Sequence, residues 1–131
     1  MAIASTVAHD SHHMIVVGTC AEHMALAANR LAEVGGGVSV WKDGRELALV
    51  DLPIAGLMSD APAEEVAAKA AAMVQAMADC GCHLNNAYMQ HSLLALVVIP
   101  DLRISDLGLV DVRKFELVPV VQEWGQEDAD A

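Results

Sequence analysis

The sequence predicts an α+β fold, a two-layer α/β sandwich whose mostly antiparallel sheet carries two helices on one face. Three observations predict it. Apolar residues recur at helical spacing from Met24 to Val34 and again from Val66 to Met77. The dipeptide Asp43-Gly44 joins two strand-like runs, which is a strong hairpin signal. Short apolar or alternating runs bounded by Gly or Pro supply the remaining strands.

Residues 1–8 read as a loose lead-in. Met14 to Val17 is a short β-branched run ending at Gly18, hence a buried strand. Thr19 and Glu22 match a capping box, in which each side chain satisfies the other's backbone N–H, and they open the first helix. Its buried face is Met24, Ala27, Ala28, Leu31 and Val34, and Gly35-Gly36-Gly37 ends it. Val38 to Lys42 and Glu46 to Leu52 form the hairpin, and Pro53 stops it. The second helix runs from about Pro62 to Ala78, with Ser59 or Asp60 as its cap and Pro62 in its first turn. Its stripe is Val66, Ala70, Met73 and Met77, and Gly81 ends it. Leu93 to Ile99 is fully apolar and reads as a strand, followed by an extended Leu102 to Ile104 and a last strand from Phe115 to Val121. The acidic tail, about 122–131, is expected to fray. The element order is then β-α-β-β-α-β-β, within a single domain spanning 1–131.

Composition narrows function by exclusion. Eighteen acidic and seven basic side chains give a formal charge of -11. Nucleic-acid binding needs clustered Lys and Arg, so that class is excluded, and docking on anionic membranes with it. The longest apolar run, Leu93 to Ile99, is too short to span a bilayer. Three cysteines and no basic-then-apolar leader predict a cytoplasmic setting.

The densest chemical cluster is His9-Asp10-Ser11-His12-His13. Imidazoles beside a carboxylate suit either a divalent metal or acid-base work, and a solvated segment is an equally good reading. His9 and His12 are weak metal candidates, since no second cluster at ligand spacing accompanies them. Cys80-Gly81-Cys82-His83 resembles half a zinc motif, but its Cys-x-Cys spacing favours an incidental role. Cys20 lies at a helix start without a motif that makes it a nucleophile, and His23 and His91 stand alone. The loop Gly56-Leu57-Met58-Ser59-Asp60 could line a pocket with backbone N–H groups and Ser59, or serve only for capping and packing.

Several segments together resemble one family. Val7 to His12 leading into Ile15-Val16-Val17-Gly18, then Met24 to Ala27, Asn29-Arg30-Leu31 and the triple glycine, carry part of it. Leu52-Pro53-Ile54-Ala55-Gly56-Leu57-Met58-Ser59-Asp60 with Pro62 to Val66 is the most specific piece. Leu93 to Pro100, Leu102-Arg103, Gly108 to Val112 and Lys114-Phe115-Glu116 complete a match over roughly 7–120. These resemble the C-terminal domain of bacterial adenine deaminase, of the amidohydrolase superfamily. The resemblance implies an accessory domain of a metal-dependent enzyme that hydrolyses adenine to hypoxanthine and ammonia. The divalent metal (manganese, iron or zinc) is then expected in a separate barrel domain, in the same or another chain, and this chain alone is expected to be inactive. Residues His9, Asp10, Ser11 and His12, and more weakly Met58 and Ser59, are implied to face the active site and help to close it over an adenine-like molecule. A homo-oligomer is also expected. The alternative is a stand-alone purine-binding or oligomerisation module.

Overall fold

The computed structural model describes residues 1–9 and 11–121. Its contacts divide the chain into two compact units, Met1–Leu96 and Val97–Ala131, where the sequence suggests one domain. The first unit contains a four-stranded antiparallel sheet in the order β2-β1-β3-β4, from β1 (Ala2–Ser5), β2 (Ile15–Gly18), β3 (Gly37–Lys42) and β4 (Arg45–Asp51). Three helices accompany it, α1 (Ala21–Val34), α2 (Ala63–Asp79) and α3 (Ala87–Leu93). The second unit contains a three-stranded antiparallel meander, β5 (Leu102–Ser105), β6 (Gly108–Asp111) and β7 (Glu116–Val118). The α+β class and the antiparallel pairing therefore hold. No helix among the described residues is long and apolar enough to cross a membrane.

The expected lead-in is the first correction. Ala2 to Ser5 form an inner strand, paired with β2 on one side and β3 on the other, and all four residues are buried. Four small or β-branched residues without alternation give little sequence signal, because a strand covered on both faces need not alternate. The placement of the helices is the second correction. Ala2 and Ala4 face Ala27 and Leu31 of α1, whereas Ile3, Val38, Val40, Ala48 and Val50 face Met73 and Met77 of α2. Successive side chains of a strand point to opposite faces. The two long helices therefore cover opposite faces of the sheet, not one. Alanine on the α1 face lets that helix approach closely, and the Ser39 hydroxyl donates to the Ala27 carbonyl at 2.9 Å.

Helix ends follow local chemistry, with exceptions. Gly35 adopts φ 87 at the C-cap of α1, as expected from the glycines. The Thr19–Glu22 capping box does not form: Cys20 is the N-cap residue, no side chain caps it, and the Thr19 hydroxyl is bonded to Met1 instead. At α2, Pro62 holds the N-cap position in place of Ser59 or Asp60, again without a side-chain cap. The far end of α2 explains Cys80-Gly81-Cys82. Gly81 has φ 87, its N–H donates to Ala78 O at 2.8 Å, and the Cys82 N–H donates to Met77 O at 3.0 Å. Those two bonds form a Schellman end, whose apolar contact is supplied here by Cys82 packed on the core. Lys69 of α2 donates to Asp51 of β4 at 2.6 Å and holds the Asp51 carboxyl below its ordinary range.

The hairpin forms as expected, with Asp43 at φ 52 and Gly44 at φ 73 closing β3 onto β4. The expected strand Leu93 to Ile99 does not form. Asn86, at φ 49, starts α3, and successive turns follow it, with Leu94 N–H on His91 O and Leu96 N–H on Leu93 O. A short apolar run without alternation fits a buried helix end as well as a strand. The last strand is shorter than expected, since Phe115 turns at φ 55 before β7 begins. Strand β6 has little local signal, because Ser105 to Gly108 carries no two-residue hairpin dipeptide. The expected fraying tail lies outside the described residues.

Candidate functional site

Thr6 is the residue on which both candidate segments are anchored. Directly after β1, its N–H donates to Gly37 O at 2.9 Å and its Oγ1 accepts from the Gly37 N–H at 2.8 Å. The same hydroxyl donates to Gly56 O at 2.6 Å. This lashes the start of the His9 loop to the loop that carries Met58. Close backbone approach makes it possible: a Cβ at Gly36 would lie 2.4 Å from Gly56 Cα and 3.0 Å from Thr6 Oγ1. The triple glycine is therefore more than a helix stop. It is where the α1–β3 turn, the end of β1 and the 54–58 loop meet. Replacing Thr6 with valine would leave the Gly37 N–H and Gly56 carbonyl without their partner. Such a loss costs about 2 kcal/mol, and thermal melting of the variant checks it. An unchanged midpoint would show that water replaces the hydroxyl without cost.

The 54–58 loop is tight. The Ile54 N–H donates to Met58 O at 3.0 Å and the Met58 N–H returns to Ile54 O at 3.1 Å, with Ala55 and Gly56 both at positive φ. Met58 projects outward, 59% exposed, while Leu57 is half-buried. Ser59 Oγ accepts from the Ala61 N–H at 3.2 Å, which orders the approach to α2.

The histidine loop stands on Ala8, which is fully buried against Ile15, Ala95 and Leu94. The His12 N–H donates to Ala8 O at 2.9 Å and Ser11 Oγ donates to the same carbonyl at 3.2 Å. Ser11, His12 and His13 are exposed and His9 is half-buried. Asp10 lies outside the described residues. The structure thus joins the roots of the two segments at Thr6 and Gly56. Among the described residues, no group of three or more His, Cys, Asp or Glu side chains is placed to hold a metal ion. His9 and His12 accordingly do not belong to such a set there.

Beneath both roots lies an apolar cavity of about 160 Å³. Val7, Leu52, Val66, Met73 and Tyr88 are among its lining residues. Among the described residues no charged side chain lines it, and its walls are predominantly apolar.

Three further residues gain a role only in the fold. Thr6 carries no motif, and only the contact with Gly56, fifty positions away, reveals it. His91 is 7% exposed in α3 and neither ring nitrogen has a partner among the described residues. Burial pushes its pKa down to about 4. His23, which also stands alone in the sequence, has a held ring: Nε2 accepts from the Gly44 N–H at 3.1 Å, and Nδ1 lies 3.1 Å from Cys20 Sγ. The three cysteines are free thiols, and burial raises the Cys80 thiol.

Comparison with known proteins agrees with the resemblance. The family described as "Adenine deaminase C-terminal domain" matches residues 1–116. An adenine deaminase of Ruegeria pomeroyi is 80% identical over 122 residues, which is 93% of this chain and 20% of that protein. One of Roseobacter denitrificans is likewise 80% identical over 122 residues, again 20% of its length. One of Moorella thermoacetica is 52% identical over 120 residues, covering 92% of this chain and 20% of its own. The chain spans about a fifth of the length of these relatives.

Proposed function

We propose, because this chain belongs to the adenine deaminase C-terminal domain family, that it is the accessory domain of a deaminase converting adenine to hypoxanthine and ammonia. The observation that carries the proposal is the 80% identity to an adenine deaminase across 93% of this chain. In this reading the metal-dependent chemistry belongs to the larger portion of such an enzyme.

The contribution of this domain is to position and to enclose. The Thr6–Gly56 bond ties the two loop roots together, and in this reading His9, Ser11 and His12 on one loop and Met58 and Ser59 on the other face the purine. Met58 offers a flexible apolar surface to a flat heterocycle. Ser11 and the histidines offer hydrogen-bonding groups to its edge. Holding the substrate and shutting out water raise the rate without any proton passing through this chain.

The test uses a full-length adenine deaminase whose C-terminal segment is this chain, compared with the same enzyme lacking it. Removal is expected to lower kcat/KM for adenine by about a hundredfold, the size of effect that misplacement of a reacting group produces. Unchanged deamination without the domain would sink the proposal.

A further inference from the structure

We propose that the apolar cavity under α2 is a binding site for one small, uncharged, single-ring molecule of benzene size. The inference stands apart from the accessory-domain reading, because it uses only the packing of the first unit. The cavity follows from short side chains on both of its sides. Val38 of β3 and Val50 of β4 are directly paired, on the sheet face that α2 covers. Opposite them α2 presents Val66, Ala70 and Met73, which share one helix face. Valine and alanine do not reach across the gap between helix and sheet, and about 160 Å³ stays unfilled.

The walls grade from closed to accessible. Val38, Val50 and Met73 are buried and form the floor. Leu52, Val66 and, from α3, Tyr88 are half-buried, so the cavity meets solvent on their side. A molecule therefore enters without parting the strands.

Size and chemistry select the occupant. A void in a close-packed interior forfeits the dispersion contacts of every wall around it. Water does not restore them. An ordered water needs roughly two to four polar partners, and the lining side chains are hydrocarbon or thioether apart from the Tyr88 hydroxyl. A charged ligand would lose its hydration, and among the described residues no charged side chain lines the cavity to replace it. In another protein, an apolar cavity of about 150 Å³ stays dry and takes up benzene. Matching volume and matching walls assign the same class of ligand here, with the Tyr88 ring as an aromatic contact.

Fluorine NMR of fluorobenzene is the test, with the 131-residue chain and with a full-length adenine deaminase carrying it. The fluorobenzene line is expected to broaden saturably with both proteins. Amide shifts in the chain are expected to centre on Val7, Leu52, Val66 and Tyr88. Ala70→Leu fills the gap and is expected to weaken binding at least about tenfold. Val66→Phe is the second blocking variant should the first fail to fold, and the amide shifts of the parent decide the matter without either. Saturating fluorobenzene is also expected to raise the thermal midpoint of the parent chain by at least about 3 °C and to leave that of Ala70→Leu unchanged. Absence of saturable broadening would overturn the inference. So would binding that both blocking variants leave intact. Shifts centred on the exposed apolar side chains between Val98 and Val121 would overturn it in favour of adsorption there. Binding to the chain but not to the full-length deaminase would overturn it in favour of an apolar side chain of the larger portion that fills the cavity.

Discussion

Gly37→Ala is expected to lower the thermal midpoint of this protein by roughly 15 °C, a cost of about 4 kcal/mol. Gly37 opens β3 with φ 136, a conformation that L side chains rarely adopt. A Cβ there would lie 2.0 Å from the Val50 carbonyl oxygen and 3.1 Å from Asp51 Cα. Both are backbone atoms of the paired strand β4, so no side chain can turn away to make room. The strands would have to part where Gly37 also holds Thr6 through two backbone-mediated bonds. Damage therefore reaches the candidate loops as well as the sheet. Circular dichroism melting of the 131-residue chain checks the stability effect. A midpoint within about 3 °C of the parent would show that the hairpin relaxes by shifting its register.

Acid is expected to weaken the fold between about pH 6.5 and pH 4 through His91. Its ring is buried without a partner among the described residues, and burial pushes its pKa from 6.5 down to about 4. The unfolded chain binds the proton at the higher pH and the folded chain only at the lower. Within that window the unfolded state holds more protons, so stability rises with pH and falls as acid is added. The loss is complete near the folded pKa and amounts to about 3 kcal/mol at most. Asp51 adds to acid sensitivity lower down, because Lys69 holds its carboxyl below the ordinary value of 3.8. His91→Leu is expected to remove the slope above pH 4 and leave the lower one. Urea midpoints measured across this range decide it. A slope unchanged by His91→Leu would assign the acid sensitivity elsewhere.

The sequence by itself determined the elements whose cause is local. Asp43-Gly44 makes its hairpin because both residues tolerate positive φ. Met73 and Met77 fall on the buried side of α2 because helical periodicity places them there. Gly35 and Gly81 end their helices for the same conformational reason. The family was legible too, since the segments around Gly56 and Pro62 carry the resemblance that the match over residues 1–116 bears out.

Only the tertiary structure decided what depends on distant partners. Ala2 to Ser5 became a central strand because β2 and β3 flank it and helices cover both of its faces. The run after Leu93 became turns because Ala95 packs on Ala8 and Ile15 rather than in a sheet. Thr6 gained its role from Gly56, and the triple glycine from backbones that come within a side chain's width. Periodicity and turn chemistry act over a few residues and can be read along the chain. Close approach, burial and the orphaning of His91 arise from segments that meet only when the chain has folded.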